Sequence, residues 1–449
     1  MVKVIAIIFS IFTLTALAQD RLSLQQQNDY SEIIINTIYE ELYKRTKDLR
    51  PTIKSKKSDA SINQGRRGKL VLERIKQRNR ERIALMHGHD PSKVKKGKDL
   101  VKLQIKENKA VLKKMKAAEI NAKENLQLSE DQKQDHLWQV QVKMEIDNIR
   151  RKVIQEHKLW KTKHKKKLAE LYKNKLAFNK VKDNYKDTLA DIPVILPVSK
   201  SELNKKVEVK LEKESFLVNS ALLPEIRDQK YRPTCSSFAG VKAIEILLSQ
   251  KNNYKNLSEQ YFYWASKPNC QKSKCSKKGS WVGNGLTFSK DSNSYDIPTE
   301  KNCTYNEYSL EANETQLPLT QTCKSGITKI KKFIYQATLD EALVSLKQNK
   351  PVVASITLSP NFYDNKGLIL QSESNIGGKL DGHAQGHAVA LIGYLKLPRI
   401  LNEGSVCFIV ANSWGQGWGQ GGYSCLSEKW LLNHRTTNPF VIIQEVSSR

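Results

Sequence analysis

The chain has 449 residues, too many for one typical hydrophobic core, so two or three units are expected. Its formal net charge is +29 with 39% apolar residues. The excess is uneven: residues 19–200 carry 44 Lys+Arg against 24 Asp+Glu, which excludes one uniform architecture from end to end.

The first residues read as a secretory signal. Lys3 supplies a positive start, Val4 to Leu17 is apolar apart from Ser10, Thr13 and Thr15, and Ala16-Leu17-Ala18 is a small-residue cleavage site ahead of Gln19. The apolar run is shorter than the ~20 residues of a membrane span. The expectation is an exported protein, secreted or periplasmic, that is not an integral membrane protein after cleavage at residue 18.

Residues 19–190 read as a basic, mostly helical and elongated region. Asn28-Asp29 can cap a first helix through Ile33, Ile34, Ile35, Ile38 and Leu42, ended by Pro51. A loop follows over Ser55 to Gly68, then a helix from about Leu70 to Met86 and another from about Asp99 to Gln127. Ser129 with Glu130 and Asp131 starts a fourth helix, which lacks Gly and Pro and is expected to run unbroken to about Thr188. Its apolar positions Ile146, Ile149, Val153, Trp160, Leu168, Leu171, Leu176 and Val181 make only a narrow stripe. Such a stripe suits a helical hairpin or a loose coiled coil.

Residues 191–223 read as a linker, with Pro193 and Pro197 at a hinge and a short strand expected over Lys206 to Leu211. Pro224 then opens the second domain, 224–449. All seven cysteines fall there. With Cys235 set aside, six remain and allow about 15 pairings. One pair has a geometric argument: Cys407 and Cys425 flank a Gly-rich turn near Gln416, which places them on neighbouring strands. Paired cysteines fit an exported chain.

Covalent hydrolysis of an amide needs a nucleophile, a base, a group that orients the base, and donors for the oxyanion. Cys235 follows Pro233-Thr234 and precedes a helical pattern through Val241, Ile244, Leu247 and Leu248. It therefore stands at a helix start, where free N–H groups and the dipole favour a thiolate. Gln229, six residues upstream, can offer a side-chain amide to the oxyanion together with the Cys235 N–H. His387 starts a glycine-bounded apolar strand in Gly386-His387-Ala388-Val389, and is the base. Asn412 ends another apolar strand, Val406 to Ala411, and orients His387. His383 is a rival base, read as a rim residue.

The Gln-x5-Cys spacing, Ser237-Phe238-Ala239, Leu257-Ser258-Glu259-Gln260, Gly-His-Ala-Val, and Asn412-Ser413-Trp414-Gly415-x-x-Trp418-Gly419-x-x-Gly422-Tyr423 occur in this order. Over about residues 224 to 445 the chain resembles the papain-like cysteine peptidase family, in a divergent bacterial-type form. The resemblance implies an α+β, two-lobed fold: a helical lobe carrying Cys235 and a β-barrel lobe carrying His387 and Asn412, with a peptide-binding cleft between them. It implies Gln229 as oxyanion donor, Trp414 as a cover over the Asn–His hydrogen bond, and no metal or organic cofactor. Gly386, the pair Gly279-Ser280, and Gly283-Asn284-Gly285 are candidates for support or substrate-backbone contact. Ser236 stands where the family usually has Trp, and Arg232-Pro233-Thr234 where it has Cys-Gly-Ser, so one common disulfide is missing.

The expected function is a secreted cysteine endopeptidase acting on protein or peptide substrates through a thioester. The alternative is an idle papain-like domain serving as a binding scaffold. For residues 19–190 three readings stand: a pro-region that blocks the cleft, an arm for a partner helix or a polyanion bound non-specifically, and a solvated helical surface. With only Trp160 and Tyr172 near the densest lysines, specific nucleic-acid reading is not expected.

Overall fold

The structure is a computed structural model and describes residues 24–49, 130–191, 209–211, 213–218, 223, 225–291, 296–374 and 385–449. The expected signal segment, the loop over 55–68, the helices over 70–86 and 99–127, and His383 lie outside the described residues. The chain divides into two compact units, Met1–Leu49 with Val142–Arg449, and Arg50–Gln141. The described part of the second unit is the start of one helix. Among the described residues no helix is long and apolar enough to cross a membrane.

In the N-terminal region, α1 spans Leu24–Thr46, α2 Glu130–Lys163 and α3 Lys165–Val181, followed by a 3-10 turn over Lys182–Thr188. The helix expected to run unbroken from 130 to 188 is therefore interrupted twice. The first break is His164, at φ −102° and ψ 17°. Neither Gly nor Pro causes it. His164 turns inward, 4% exposed, with Nε2 3.1 Å from Glu32 Oε2 of α1. The reorientation lets Trp160 and Leu171 both pack on Ile33. The second break turns the chain so that Tyr185 and Leu189 join the main core. α1 begins before Asn28-Asp29, so those residues lie inside the helix rather than capping it.

Only part of the narrow apolar stripe is covered by the second half of the chain: Ile149 and Val153 join its core, Trp160, Leu168 and Leu171 pack on Ile33 of α1, and Leu176 and Val181 stay exposed. Ile34, Ile38, Tyr39 and Leu42 of α1, with Ile149 of α2 and Phe178 of α3, share one buried cluster with the sheet. Ion pairs rim the contact: Arg45 Nε lies 2.6 Å from Glu373 Oε1, and Arg399 Nε 3.4 Å from Glu145 Oε1.

The remaining α-helices among the described residues are α4 (Cys235–Gln250), α5 (Glu259–Ala265), α6 (Val282–Lys290), α7 (Leu339–Lys347), α8 (Pro360–Tyr363) and α9 (Glu428–His434). The strands are β1 (Ala190–Asp191), β2 (Ser215–Leu217), β3 (Thr328–Ala337), β4 (Val352–Thr357), β5 (Leu368–Ile369), β6 (Gln385–Lys396), β7 (Val406–Ala411), β8 (Tyr423–Ser427) and β9 (Arg435–Ser448). They form one sheet in the order β3-β9-β4-β6-β7-β8-β5, with β1 and β2 both paired to β6. The stretch read as a linker thus contributes β2 and the second residue of β1. Of the short strand expected over 206–211, residues 206–208 lie outside the described residues and 209–211 are not in a strand; a strand forms at Ser215–Leu217, opposite Gly393–Leu395, where the buried β6 backbone needs hydrogen-bond partners.

β4, β6 and β7 are continuous apolar runs, and their described side chains are almost all buried. α4 is buried on every side from Cys235 to Ser249 and packs against β6 and α5. Its cluster, with α5 and α6, is separate from the cluster under the sheet, which gives two lobes and the expected α+β class. The cysteines pair as Cys270–Cys275, Cys303–Cys323 and Cys407–Cys425. The last bridge runs diagonally, since Cys407 faces Ser427 and Cys425 faces Ile409. Cys235 is the free cysteine.

Candidate active site

Cys235 opens α4, behind Thr234. The Thr234 hydroxyl does not cap the helix; its Oγ1 lies 2.7 Å from Tyr305 Oη. The Ser237 N–H is taken by Thr234 O at 2.9 Å, while the backbone N–H groups of Ala388, Ser236 and Cys235 itself favour the ionised form of the thiol. Ala388 is the residue after His387 on β6, so the sheet brings Cys235 and His387 into one region.

His387 Nε2 lies 2.7 Å from Asn412 Oδ1. An amide oxygen only accepts, so the proton sits on Nε2, and Nδ1 is left as a bare acceptor. That Nδ1 is buried without a hydrogen-bond partner among the described residues. A lone pair in that state is the atom a base needs. Asn412 is held in turn: its N–H donates to Gly422 O at 3.0 Å, and its Oδ1 also accepts the Ser413 N–H at 2.8 Å.

Gln229 is fully buried and pinned at both ends of its amide. Its Oε1 accepts from Ser413 Oγ at 2.6 Å, and its Nε2 donates to Arg232 O at 2.8 Å. One of the two amide N–H bonds remains for a ligand. Trp414, 1% exposed, lies 4.7 Å from the His387 ring, centroid to centroid, and closes that face of the Asn–His pair. On its other sides stand Phe362, Tyr363 and, from the N-terminal region, Tyr185 and Phe178.

The remaining candidates separate. Gly386 is committed in the sheet, facing Thr357 on β4 and Ala190 on β1. Gly279 has φ +74°, a backbone state glycine favours, and Ser280 Oγ hydrogen-bonds Ser236 Oγ on α4. Gly283 and Gly285 are not free backbone. They lie inside α6, where a Cβ on Gly285 would sit 2.3 Å from Ser266 Oγ, so close packing explains them.

Three groups escaped the sequence reading. Arg227 spans Glu245 Oε1 at 2.6 Å and Glu259 Oε1, binding α4 to α5 beneath the site. The single acid of α4, set in the apolar run Ala243 to Leu248, was the available signal for Glu245. Lys242, on the same helix, has its ammonium brought down to about 7 by burial and donates to Glu225 O. Arg232 is the third.

Burial pushes the Cys235 thiol up to about 11. Burial also holds the His387 imidazole down at about 4, against the pull of Asn412. Both residues are 2% exposed, and both shifts favour an uncharged pair while water is excluded. His434, stacked on Trp430 at 4.3 Å, is likewise held at about 4 by burial. A folded value below the ordinary 6.5 means that the folded chain binds fewer protons than the unfolded one between those values. The stability His434 contributes is whole above about pH 6.5 and is lost as pH falls through 4. Glu300, raised by burial to about 8, acts in the opposite direction, so the contribution must be read as a difference. His434→Phe should flatten the fall in unfolding free energy between pH 6.5 and 4 by up to about 3 kcal/mol, measured by urea titration at each pH. Parallel curves for the two proteins would refute it.

Residues 214–437 match the model of the papain family cysteine proteases. Fruit bromelain of Ananas comosus is 29% identical over 202 residues, 44% of this chain and 50% of its own. A cysteine protease of Blomia tropicalis is 29% identical over 213 residues, 45% of this chain and 57% of its own. The chain thus spans about half the length of these curated relatives. Among solved structures, xylellain, a cysteine protease from Xylella fastidiosa, is 18% identical, with a TM-score of 0.44 over 59% of this chain and 97% of its own. The C-terminal half of the chain, residues 214–437, belongs to the papain family of cysteine proteases.

Proposed function

We propose that the chain is an exported cysteine peptidase, made latent by its own N-terminal region. The observation that carries the peptidase reading is the 2.7 Å bond that leaves His387 Nδ1 bare, on the strand whose next residue, Ala388, turns its backbone N–H to the Cys235 thiol at a helix start. In the reaction the Cys235 proton passes to His387 Nδ1, and the thiolate attacks the scissile carbonyl carbon. The oxyanion takes the free Gln229 N–H and the Cys235 N–H. His387 then protonates the leaving amine, the C–N bond breaks, and a thioester remains. Water, deprotonated by His387, attacks the thioester and releases the acid and the thiol. Asn412 keeps the imidazole in the tautomer this sequence requires. The three disulfides support the exported reading.

The latent state is supported by where residues 142–191 lie. β1 pairs with Gln385 and Gly386, one residue from the base, and Tyr185 packs its ring 5.1 Å from Trp414. The uncharged state favoured for Cys235 and His387 agrees with a closed site.

The test is covalent labelling by a peptidyl epoxide, read by intact mass, before and after limited proteolysis removes residues ahead of 200. Labelling confined to Cys235, lost in Cys235→Ala and faster after cleavage, is the expected result. No labelling of either folded form would sink the peptidase reading. Equal rates would sink latency alone.

A further inference from the structure

Arg232 stands three residues before Cys235 and is fully buried. Its Nη1 donates to Gln260 Oε1 at 2.7 Å and to Asn306 O at 2.9 Å, and its Nη2 to Glu314 O at 2.6 Å. The rings of Tyr263 and Tyr305 lie 5.4 and 5.1 Å from the guanidinium carbon. Every one of those hydrogen bonds ends on a neutral oxygen. A buried cation so held is costly and tolerates little displacement.

The other end of the residue faces the reaction. The Arg232 carbonyl accepts both the Gln229 side-chain amide, at 2.8 Å, and the Thr234 N–H, at 2.9 Å. Tyr305 closes the unit: its hydroxyl donates to Gln229 O at 2.8 Å and lies against Thr234 Oγ1, while its ring faces the guanidinium. The clamp on the side chain therefore sets the carbonyl that aims the amide.

We propose that Arg232 is a positioning residue for the oxyanion: its clamped guanidinium fixes the carbonyl that directs the remaining Gln229 N–H at the reacting carbonyl. The inference rests on the peptidase reading of Cys235 and Gln229 above. Its consequence is selective. Acyl transfer needs the oxyanion donor; alkylation of the thiol by a haloacetamide proceeds by displacement and does not.

The experiment measures two rates at Cys235 in the full chain: acylation by a p-nitrophenyl ester and alkylation by iodoacetamide. Their ratio cancels any difference in how often the site opens. In Arg232→Lys and Arg232→Met the ratio should fall about 10-fold or more, short of the ~10²–10³ that a lost oxyanion donor costs. Gln229→Ala should lower it at least as far, and Gln229→Ala/Arg232→Lys no further than Gln229→Ala alone. If Arg232→Met does not fold, Arg232→Lys decides. An unchanged ratio, equal falls in both rates, or losses that add in the double variant would overturn the proposal. A wild-type chain alkylated at Cys235 but never acylated there would overturn the peptidase reading instead.

Discussion

In the intact chain, Phe178→Ala should raise the rate of epoxide labelling at Cys235 by about 10²-fold or more. Phe178 is 6% exposed and stacks on Trp414 at 6.5 Å with the ring planes 21° apart. It also fills the space over Gly417, where any Cβ would meet the Phe178 Cβ at 2.4 Å. Truncating a buried Phe typically costs about 3–5 kcal/mol. Where the ring is buried only while the N-terminal region is docked, that cost falls on the docked state and shifts the opening equilibrium. Tyr185→Phe gives a finer measure. The Tyr185 hydroxyl donates to Asp228, 3.0 Å from Oδ1 and 2.9 Å from Oδ2, so its loss should accelerate labelling by about 5–15-fold while the ring contact to Trp414 stays. If Phe178→Ala labels no faster than wild type at matched folding, the N-terminal region does not gate the site through this contact.

Arg227→Met should destabilise the folded chain by about 3–5 kcal/mol, read as a lower urea midpoint. Glu245 and Glu259 are buried, and Arg227 is the cation between them. Burial, with Glu245 alongside, already raises the Glu259 carboxyl above its ordinary value against the pull of Arg227. Without the guanidinium the two carboxylates face each other in a dry interface and one must protonate. The loss should therefore be greatest at alkaline pH and partly recovered as pH falls. Arg227 also lies two residues before Gln229, and its carbonyl accepts the Gly415 N–H at 3.2 Å, so the variant should slow acylation as well. A midpoint within experimental error of wild type across this range would refute the charge balance inferred for the α4–α5 interface.

Much of the site was legible in the chain. Cys235, His387 and Asn412 are legible because each sits where one local pattern ends: a helix start, the start of an apolar strand, and the end of another. Local propensity and hydrophobic period are properties of neighbouring residues, so the sequence carries them directly. The same holds for Gln229, whose fixed spacing to Cys235 is a short-range relation, and for the Cys407–Cys425 bridge across one turn.

What the sequence could not supply depends on contacts between distant segments. Nothing near His164 marks a helix break, because the break follows from Glu32 and Ile33, some 130 residues away. Lysine-rich α3 looks like a solvated helix until Lys175 Nζ is seen 2.9 Å from Asn365 O, and Phe178 against Trp414. The buried partners of Arg227 and Arg232 are likewise set by packing, since an arginine's sequence neighbours do not reveal which carbonyl or carboxylate it will meet. By itself the sequence determined most elements of the two lobes and the residue types that stand at their ends. Only the tertiary structure decided what holds those groups still and what lies over them, because burial and charge pairing are set by which surfaces meet.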